Sequence, residues 1–300
     1  MPINFRDFYL HPSLFCVILI LYSILHERRC ILMITVKHID TIDGIKDLIF
    51  EQTYNAAIDR TRSSYFYRGM RNADYDLTTS LSRNCKGAYA ELEQPMLDNF
   101  INYVRIEDPS INESIWKAMV IGQHYGLPTR LLDWTHSTLV ALHFANAEDN
   151  LDKLSERDCV VWRIDLRDLN RNLPAKYQDY LNRKNTFVFS LDGLAELAQD
   201  IKQYDQDMGD QAMVCFEPPS VDQRIVNQYS FFSAVPSGIT DLEAFLDSHT
   251  ENTVKYVIDK KLRWELRDIL DQFNINERMI HPGTAGIAKW LARHYYVKTR

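Results

Sequence analysis

The residues of this chain best equipped for chemistry fall in one short run, Gln123 to Thr135 (QHYGLPTRLLDWT). It gathers an imidazole (His124), a guanidinium (Arg130), a carboxylate (Asp133), an amide (Gln123) and two hydroxyls (Thr129, Thr135). Interspersed are Tyr125, Leu127, Leu131, Leu132 and Trp134, which should be buried. Polar groups on such a segment sit in a partly dry place, where an unpaired one costs about 1–3 kcal/mol. The run is therefore either a ligand site or a structural network. As a site, His124 acts as general base or ligand contact, Thr129 and Arg130 line a pocket, and Trp134 stacks. As a network, His124 is a satisfied core histidine and Arg130 pairs with Asp133 to pin the loop.

A second candidate is Arg68, which follows Tyr65, Phe66 and Tyr67 and precedes Gly69. An arginine ending a buried strand can fork onto a phosphate or carboxylate, and a glycine beside it lets a ligand approach the backbone. The bland alternative is a salt bridge, for example to Asp133. Gln228 opens an apolar strand, either as an amide that reads a ligand or as one that satisfies backbone groups. Thr135 and Ser137 lack a nucleophile elbow, which argues against a serine hydrolase. The mechanical parts of a kinase, an ATPase or a Rossmann enzyme are missing too, since there is no P-loop and no glycine-rich dinucleotide fingerprint. His136 and His143 share one helical face, but no carboxylate or cysteine completes a ligand set, so no metal is expected.

The elements that must position these groups follow from apolar periodicity. Helices are predicted over 43–60, 88–104, 113–125, 137–147, 192–204, 241–246, 261–273 and 284–296, with a helical turn near 221–227. Strands are predicted over 63–70, 159–164, 212–216, 228–235 and 253–258. Gly126 and Pro128 should end the helix that carries His124, and Thr135, His136 or Ser137 should cap the next. The fold class is α+β, with helices in the first half, an interrupted mixed or antiparallel sheet, and a helical C-terminus.

Composition narrows the function classes. The chain has 300 residues, 46% hydrophobic and 25% charged, with only 10 Gly and 10 Pro, which is globular and not disordered. A formal net charge of -7 gives no support to non-specific nucleic-acid binding. Five cysteines without a close pair (Cys16, Cys30, Cys85, Cys159, Cys215) fit a reducing cytoplasm. Residues 1–32 read as an apolar N-terminal extension and 33–300 as a single globular domain. The run Ser13–Leu25 is shorter than the roughly 20 apolar residues of a bilayer span. The extension is thus an artefact of start-site choice upstream of Met33, a membrane anchor built on residues 8–25, or a packed helix. Localisation is expected to be cytoplasmic, with membrane anchoring as the alternative.

The chain resembles the FRG-domain family. Phe66-Tyr67-Arg68-Gly69 looks like the family's aromatic-Arg-Gly motif, and Gln123–Thr135 with Ala141-Leu142-His143-Phe144-Ala145 looks like its most distinctive block. Arg224-Ile225 with Gln228 and Phe231 or Phe232 looks like its later motif, although Tyr229-Ser230 stands where the family usually has a glycine. The resemblance covers roughly 60–235. A weaker resemblance connects Arg68, Thr135-His136-Ser137 and Ala141–Ala145 with ADP-ribosyltransferases, in which an arginine holds NAD and a later glutamate stabilises the ribosyl cation. The matching place here holds Gln228, with Glu217 as an imperfect substitute, and an amide supplies no negative charge.

Together these readings set out a nucleotide-like ligand, with NAD as the named candidate cofactor. Arg68, His124 and Gln228 are the candidate catalytic residues. Tyr67, Gly69, Gln123, Thr129, Arg130, Asp133, Trp134, Thr135 and Ser137 are the candidate ligand contacts, with Ser137 orienting a ribose. Any reaction would be NAD cleavage or ADP-ribosyl transfer. The competing expectation is a non-enzymatic interaction or regulatory module with a protein partner, for instance in a bacterial defence system.

Overall fold

The computed structural model describes residues 34–298 apart from Ala57 and Val221. The apolar run Ser13–Leu25, the proposed anchor and the alternative start at Met33 lie outside the described residues. Among the described residues, no helix is long and apolar enough to cross a membrane.

Eight strands form one mixed sheet: β1 (Thr35–Ile39), β4 (Tyr65–Met70), β5 (Leu131–Thr135), β6 (Cys159–Asp165), β7 (Phe189–Ser190), β8 (Val214–Glu217), β9 (Ser230–Ala234) and β10 (Val254–Ile258). Their spatial order is β1-β10-β6-β4-β5-β9-β8-β7. The outermost pairs, β1 with β10 and β7 with β8, are parallel, and the inner pairs are antiparallel. A separate hairpin joins β2 (Tyr54–Asn55) to β3 (Arg60–Thr61).

Helices cover both faces. In chain order they are α1 (Ile42–Ile49), α2 (Ser80–Cys85), α3 (Tyr89–Val104), α4 (Ile115–His124), α5 (Thr138–Ala145), α6 (Leu166–Arg171) and α7 (Ala175–Lys184). These are followed by α8 (Leu191–Leu197), α9 (Ile201–Met208), α10 (Gln223–Gln228), α11 (Leu242–His249), α12 (Arg263–Gln272), α13 (Glu277–Ile280) and α14 (Thr284–His294). Side chains alternate across a strand, so β4 sends Phe66 to one face and Tyr67 to the other. Phe66 packs with Leu132, Trp134, Trp162 and the α11 residues Phe245 and Leu246. Tyr67 packs with Val161, Tyr256 and the α5 residues Ala141, Leu142 and Ala145. A third core cluster joins Leu131, Phe216 and Phe232 to Trp116, Met119 and Val120 of α4.

The α+β expectation holds, including the mixed sheet and the helical C-terminus. Several elements depart from it. The helix expected over 43–60 stops at Ile49. Beyond it the chain turns inward, because Glu51 accepts 2.5 Å bonds from Arg163 Nη1 and Tyr256 Oη on distant strands. The strand β1 has an almost wholly exposed edge and therefore no apolar alternation to betray it. The strand expected from Gln228 begins at Ser230, since α10 extends to Gln228. Tyr229 closes α10 in the left-handed region (φ 49°), a conformation that favours glycine.

Candidate cavity at the β4–β5 junction

The sheet is weakest at its centre. Strands β4 and β5 are joined by a single pair, Tyr67 opposite Thr135. Continuing that register would set Gly69 opposite Asp133, but no pair forms there. The Arg68 side chain takes up the freed acceptor instead: its Nη1 donates to the Asp133 carbonyl oxygen at 2.7 Å and lies 3.6 Å from the Asp133 carboxylate. A cavity of about 190 Å³ opens at this junction. Its wall includes Tyr67, Arg68, Gly69, Asp133, Trp134 and Thr135 from the two strands, Phe144 from α5, Arg224 and Gln228 from α10, and Ser230.

Two arginines face this space against one carboxylate. Arg68 Nε is buried and has no hydrogen-bond partner. Burial, as the largest effect, lowers the Arg68 pKa below its ordinary value, while the nearby Asp133 charge acts the other way. Arg224 has no carboxylate partner among the described residues, and its positive charge adds to burial in depressing the neighbouring His281. A guanidinium presents five donors in a planar fork, so the wall offers far more N–H groups than the protein accepts. An acidic oxyanion such as phosphate is the ligand chemistry that matches this imbalance.

The surrounding contacts fix these groups. Asp133 accepts from Gln123 Nε2 at 3.0 Å, and Gln123 Oε1 accepts from Thr129 Oγ1 at 2.5 Å. The α4 helix holds Gln123 in place; Ser114 caps its start, and Gly126 (φ 91°) follows its end. The wall helix α10 is tied on three sides. His124 Nε2 sits 2.9 Å from the carboxylate of Asp222, which is also the N-cap of α10. Asn227 Nδ2 and Gln228 Nε2 donate to the carbonyls of Met279 and Ile280 on α13, at 2.6 and 3.1 Å. Thr135 Oγ1 donates to the Gln228 carbonyl at 2.7 Å.

The structure thus brings together Tyr67, Arg68, Gly69, Asp133, Trp134, Thr135 and Gln228, and keeps His124, Thr129, Arg130 and Ser137 off the cavity wall. His124 instead anchors α10 through Asp222. Thr129 is buried and hydrogen-bonded to Gln123 and to the Leu131 N–H. Arg130 is 3% exposed and does not pair with Asp133. It forks onto Glu93 (2.5 Å) and Asp205 (2.5 Å). Burial works against its charge, but these two carboxylates raise its pKa above the ordinary value. Ser137 caps α5 through the Val140 N–H.

Within the cavity, some expected roles are already occupied by the fold. The Trp134 indole N–H donates to Ser233 Oγ at 2.9 Å and the ring lies in the core, so it is not laid open for stacking. The Tyr67 ring is fully buried. Gly69 does admit a close approach, but by α5: a Cβ there would sit 1.8 Å from the Ala141 carbonyl oxygen and 2.5 Å from the Ala145 nitrogen. The Gln228 amide nitrogen is spent on Ile280. Glu217 lies on β8, separated from β5 by β9, and takes no part in the wall. His136 and His143 are engaged separately, His136 with the Tyr65 carbonyl and His143 with Arg267. Among the described residues there is no cluster of three or more metal-ligating side chains.

Sequence reasoning missed Arg224, Phe144 and Ser230 as wall residues. Arg224 and Phe144 stood inside recognised motifs, and for Arg224 the signal was an arginine four residues before Gln228, one helical turn away.

These features define an α+β protein with a cavity at a break in its sheet, lined by two arginines and one carboxylate. Residues 63–153 match the family model of the FRG domain. The matched segment contains Arg68, Gly69 and the whole Gln123–Thr135 run, whereas Arg224 and Gln228 lie beyond it. Comparison with curated proteins and with solved structures returned no match.

Proposed function

We propose that the β4–β5 cavity binds the phosphate-bearing part of a nucleotide-like ligand, with NAD the leading candidate. The observation that carries this reading is the pairing of Arg68 and Arg224 on one wall, with Asp133 as the sole lining carboxylate. Arg68 would present its guanidinium to phosphate from the cavity wall. Thr135, Ser230 and the free carbonyl end of the Gln228 amide would face the sugar, and Phe144 would give it an apolar side. At about 190 Å³ the space is below the 300–1,000 Å³ usual for drug-sized ligands. A dinucleotide would place one phosphoryl-sugar part inside and the rest over the rim. If turnover follows, the reaction class is NAD glycosidic cleavage or ADP-ribosyl transfer.

A calorimetric titration of NAD, ADP-ribose and inorganic phosphate tests this, with Arg68→Ala and Arg224→Ala as controls. The expected result is saturable binding of the nucleotides that weakens at least tenfold in both variants. No heat from wild-type protein at millimolar nucleotide would discard the reading.

One observation favours a second reading, that of a binding module without catalysis. Gln228 is tied to Ile280, and Glu217 is remote from the cavity, so no glutamate lines it. On this reading nucleotide binds without nicotinamide release, which a chromatographic assay of incubated NAD distinguishes directly.

A further inference from the structure

A surface helix ordinarily buries its apolar stripe and shows its charges to water. The last helix, α14, does the reverse. Gly286 is turned inward, so close to the preceding segment that a Cβ would sit 1.7 Å from the His281 carbonyl oxygen and 2.7 Å from that of Glu277. Arg293 is turned inward too, with a side chain only 9% exposed, and forks onto Asp271 of α12 at 2.6 Å and Glu277 of α13 at 2.7 Å. This ion-paired anchor fixes the helix with its apolar side chains outward. Ile287 is 47% exposed, Leu291 40% and Tyr295, at the helix end, 77%. They recur every four residues, so they form one ridge along the axis, about 12 Å long at 1.5 Å per residue. Ala285, Ala288 and Ala292 beside the ridge are exposed as well. A ridge flanked by small residues fits closely against a second helix.

The charge around this face has one sign. Residues 284–300 contain Lys289, Arg293, Lys298 and Arg300 and no Asp or Glu, in a chain whose formal net charge is -7. Arg293 is neutralised by its two carboxylates, but Lys289, Lys298 and the neighbouring Arg278 have no ion-pair partner among the described residues. At about 100° per residue, Lys289 borders the alanine side of the face and His294 the isoleucine side. The complement is an acidic partner. A second copy docked by the same ridge would set these cations against themselves. A lipid surface fits less well, because Trp290, the side chain suited to a membrane interface, is half-buried and lies 4.2 Å beneath the Arg278 guanidinium.

We propose that the Ile287–Leu291–Tyr295 ridge is a docking surface for an amphipathic helix of a partner protein, one whose apolar stripe is flanked by Asp or Glu. The surface shares no residue with the arginine-lined cavity and does not depend on the reading given to it.

The test is fluorescence anisotropy on the full chain with two synthetic helical peptides. Both carry leucine at every third or fourth position, and they differ only in the flanking residues, glutamate in one and lysine in the other. Ile287→Gln, Leu291→Gln and Tyr295→Gln are combined in a ridge variant, since the side chains are exposed and glutamine is a good helix former. Tyr103→Gln combined with Ile106→Gln, at two other exposed apolar positions, serves as the control. Saturable binding of the glutamate peptide is expected, at least tenfold weaker for the lysine peptide and for the ridge variant, and unchanged for the control. Lys289→Glu, which leaves the ridge intact, should narrow the preference between the two peptides and so reads the charge rule even if the ridge variant melts early. No saturable binding of the glutamate peptide, or equal weakening by the control, overturns the proposal. So does a ridge-dependent dimer in sedimentation equilibrium, or ridge-dependent flotation with phosphatidylserine vesicles in place of peptide binding.

Discussion

Arg68 Nη1 reaches the Asp133 carbonyl oxygen at 2.7 Å, at the point where pairing between β4 and β5 ends. A side chain thereby fills a place that backbone would otherwise fill, and leaves most of its own donors unused. The arginine is held by little and aimed at the cavity, which separates its effect on binding from its effect on stability. Arg68→Ala should lower stability by only about 1 kcal/mol, since one hydrogen bond is lost and a buried unpaired Nε is removed with it. Nucleotide affinity should fall at least tenfold. Arg68→Lys should rescue binding poorly, because an ammonium cannot fork. Thermal melts beside the titration read both quantities.

Gly69→Ala should be far more damaging than the size of a methyl group suggests. Its Cβ would meet the backbone of α5, at 1.8 Å from the Ala141 oxygen, and backbone cannot rotate away. Overpacking of this kind costs about 1–3 kcal/mol or more. Urea unfolding of the variant should show a midpoint well below wild type, and an unchanged midpoint would refute the contact.

The Arg130 cluster should behave as a scaffold. Arg130 and Glu93 are 4% and 3% exposed at their side chains. Removing one member of such a buried pair costs about 3–5 kcal/mol because the survivor stays charged and dry. Glu93→Ala and Arg130→Ala are expected to reduce soluble yield and melting temperature sharply. Whatever fraction folds should bind nucleotide as wild type does, so a selective loss of affinity with stability intact would return Arg130 to the ligand site.

Tyr229→Gly should raise stability by about 1 kcal/mol. The residue sits at φ 49° and ψ 51° and is exposed, so it bears the left-handed penalty of roughly 1–2 kcal/mol that glycine escapes. Equilibrium unfolding in urea measures the change. A lower midpoint would mean that the contacts of the Tyr229 ring with His136 and Phe231 outweigh the strain.

Acid should act partly through His143. Burial above all, and the Arg267 guanidinium next, push its imidazole down to about 3. The unfolded chain takes up that proton near pH 6.5, so it binds more protons than the folded state below that value. The stability tied to this group is complete above pH 6.5 and declines as the pH falls towards 3, by up to about 1.4 kcal/mol per pH unit. His143→Asn should flatten that slope in unfolding measurements between pH 7 and 4.5, and equal slopes would exclude the effect.

Local rules carried much of the architecture. Ser137 caps α5, and Gly126 follows α4, as capping and helix-stop rules predict. The strands around Arg68, Val160, Cys215, Phe231 and Lys255 all appear. The site was legible as a set of residue types but not as a set of neighbours. Arg130 and Asp133 are three residues apart, yet their charges go to different partners, because a guanidinium chooses carboxylates by geometry in space. Glu93 and Asp205, distant in sequence, win. Arg224 was hidden for the converse reason, since only the docking of α10 beside the sheet gives it a common wall with Arg68. Gly69 shows a third limit: the lack of a side chain signals a close approach but does not say by what.

A sheet whose two four-strand halves share one rung is mechanically uneven. Shear applied along the strands finds its weakest seam between Tyr67 and Thr135. A molecule lodged beside that seam would touch both halves at once and act as a rivet, so its presence should register as slower amide exchange in β4 and β5 together.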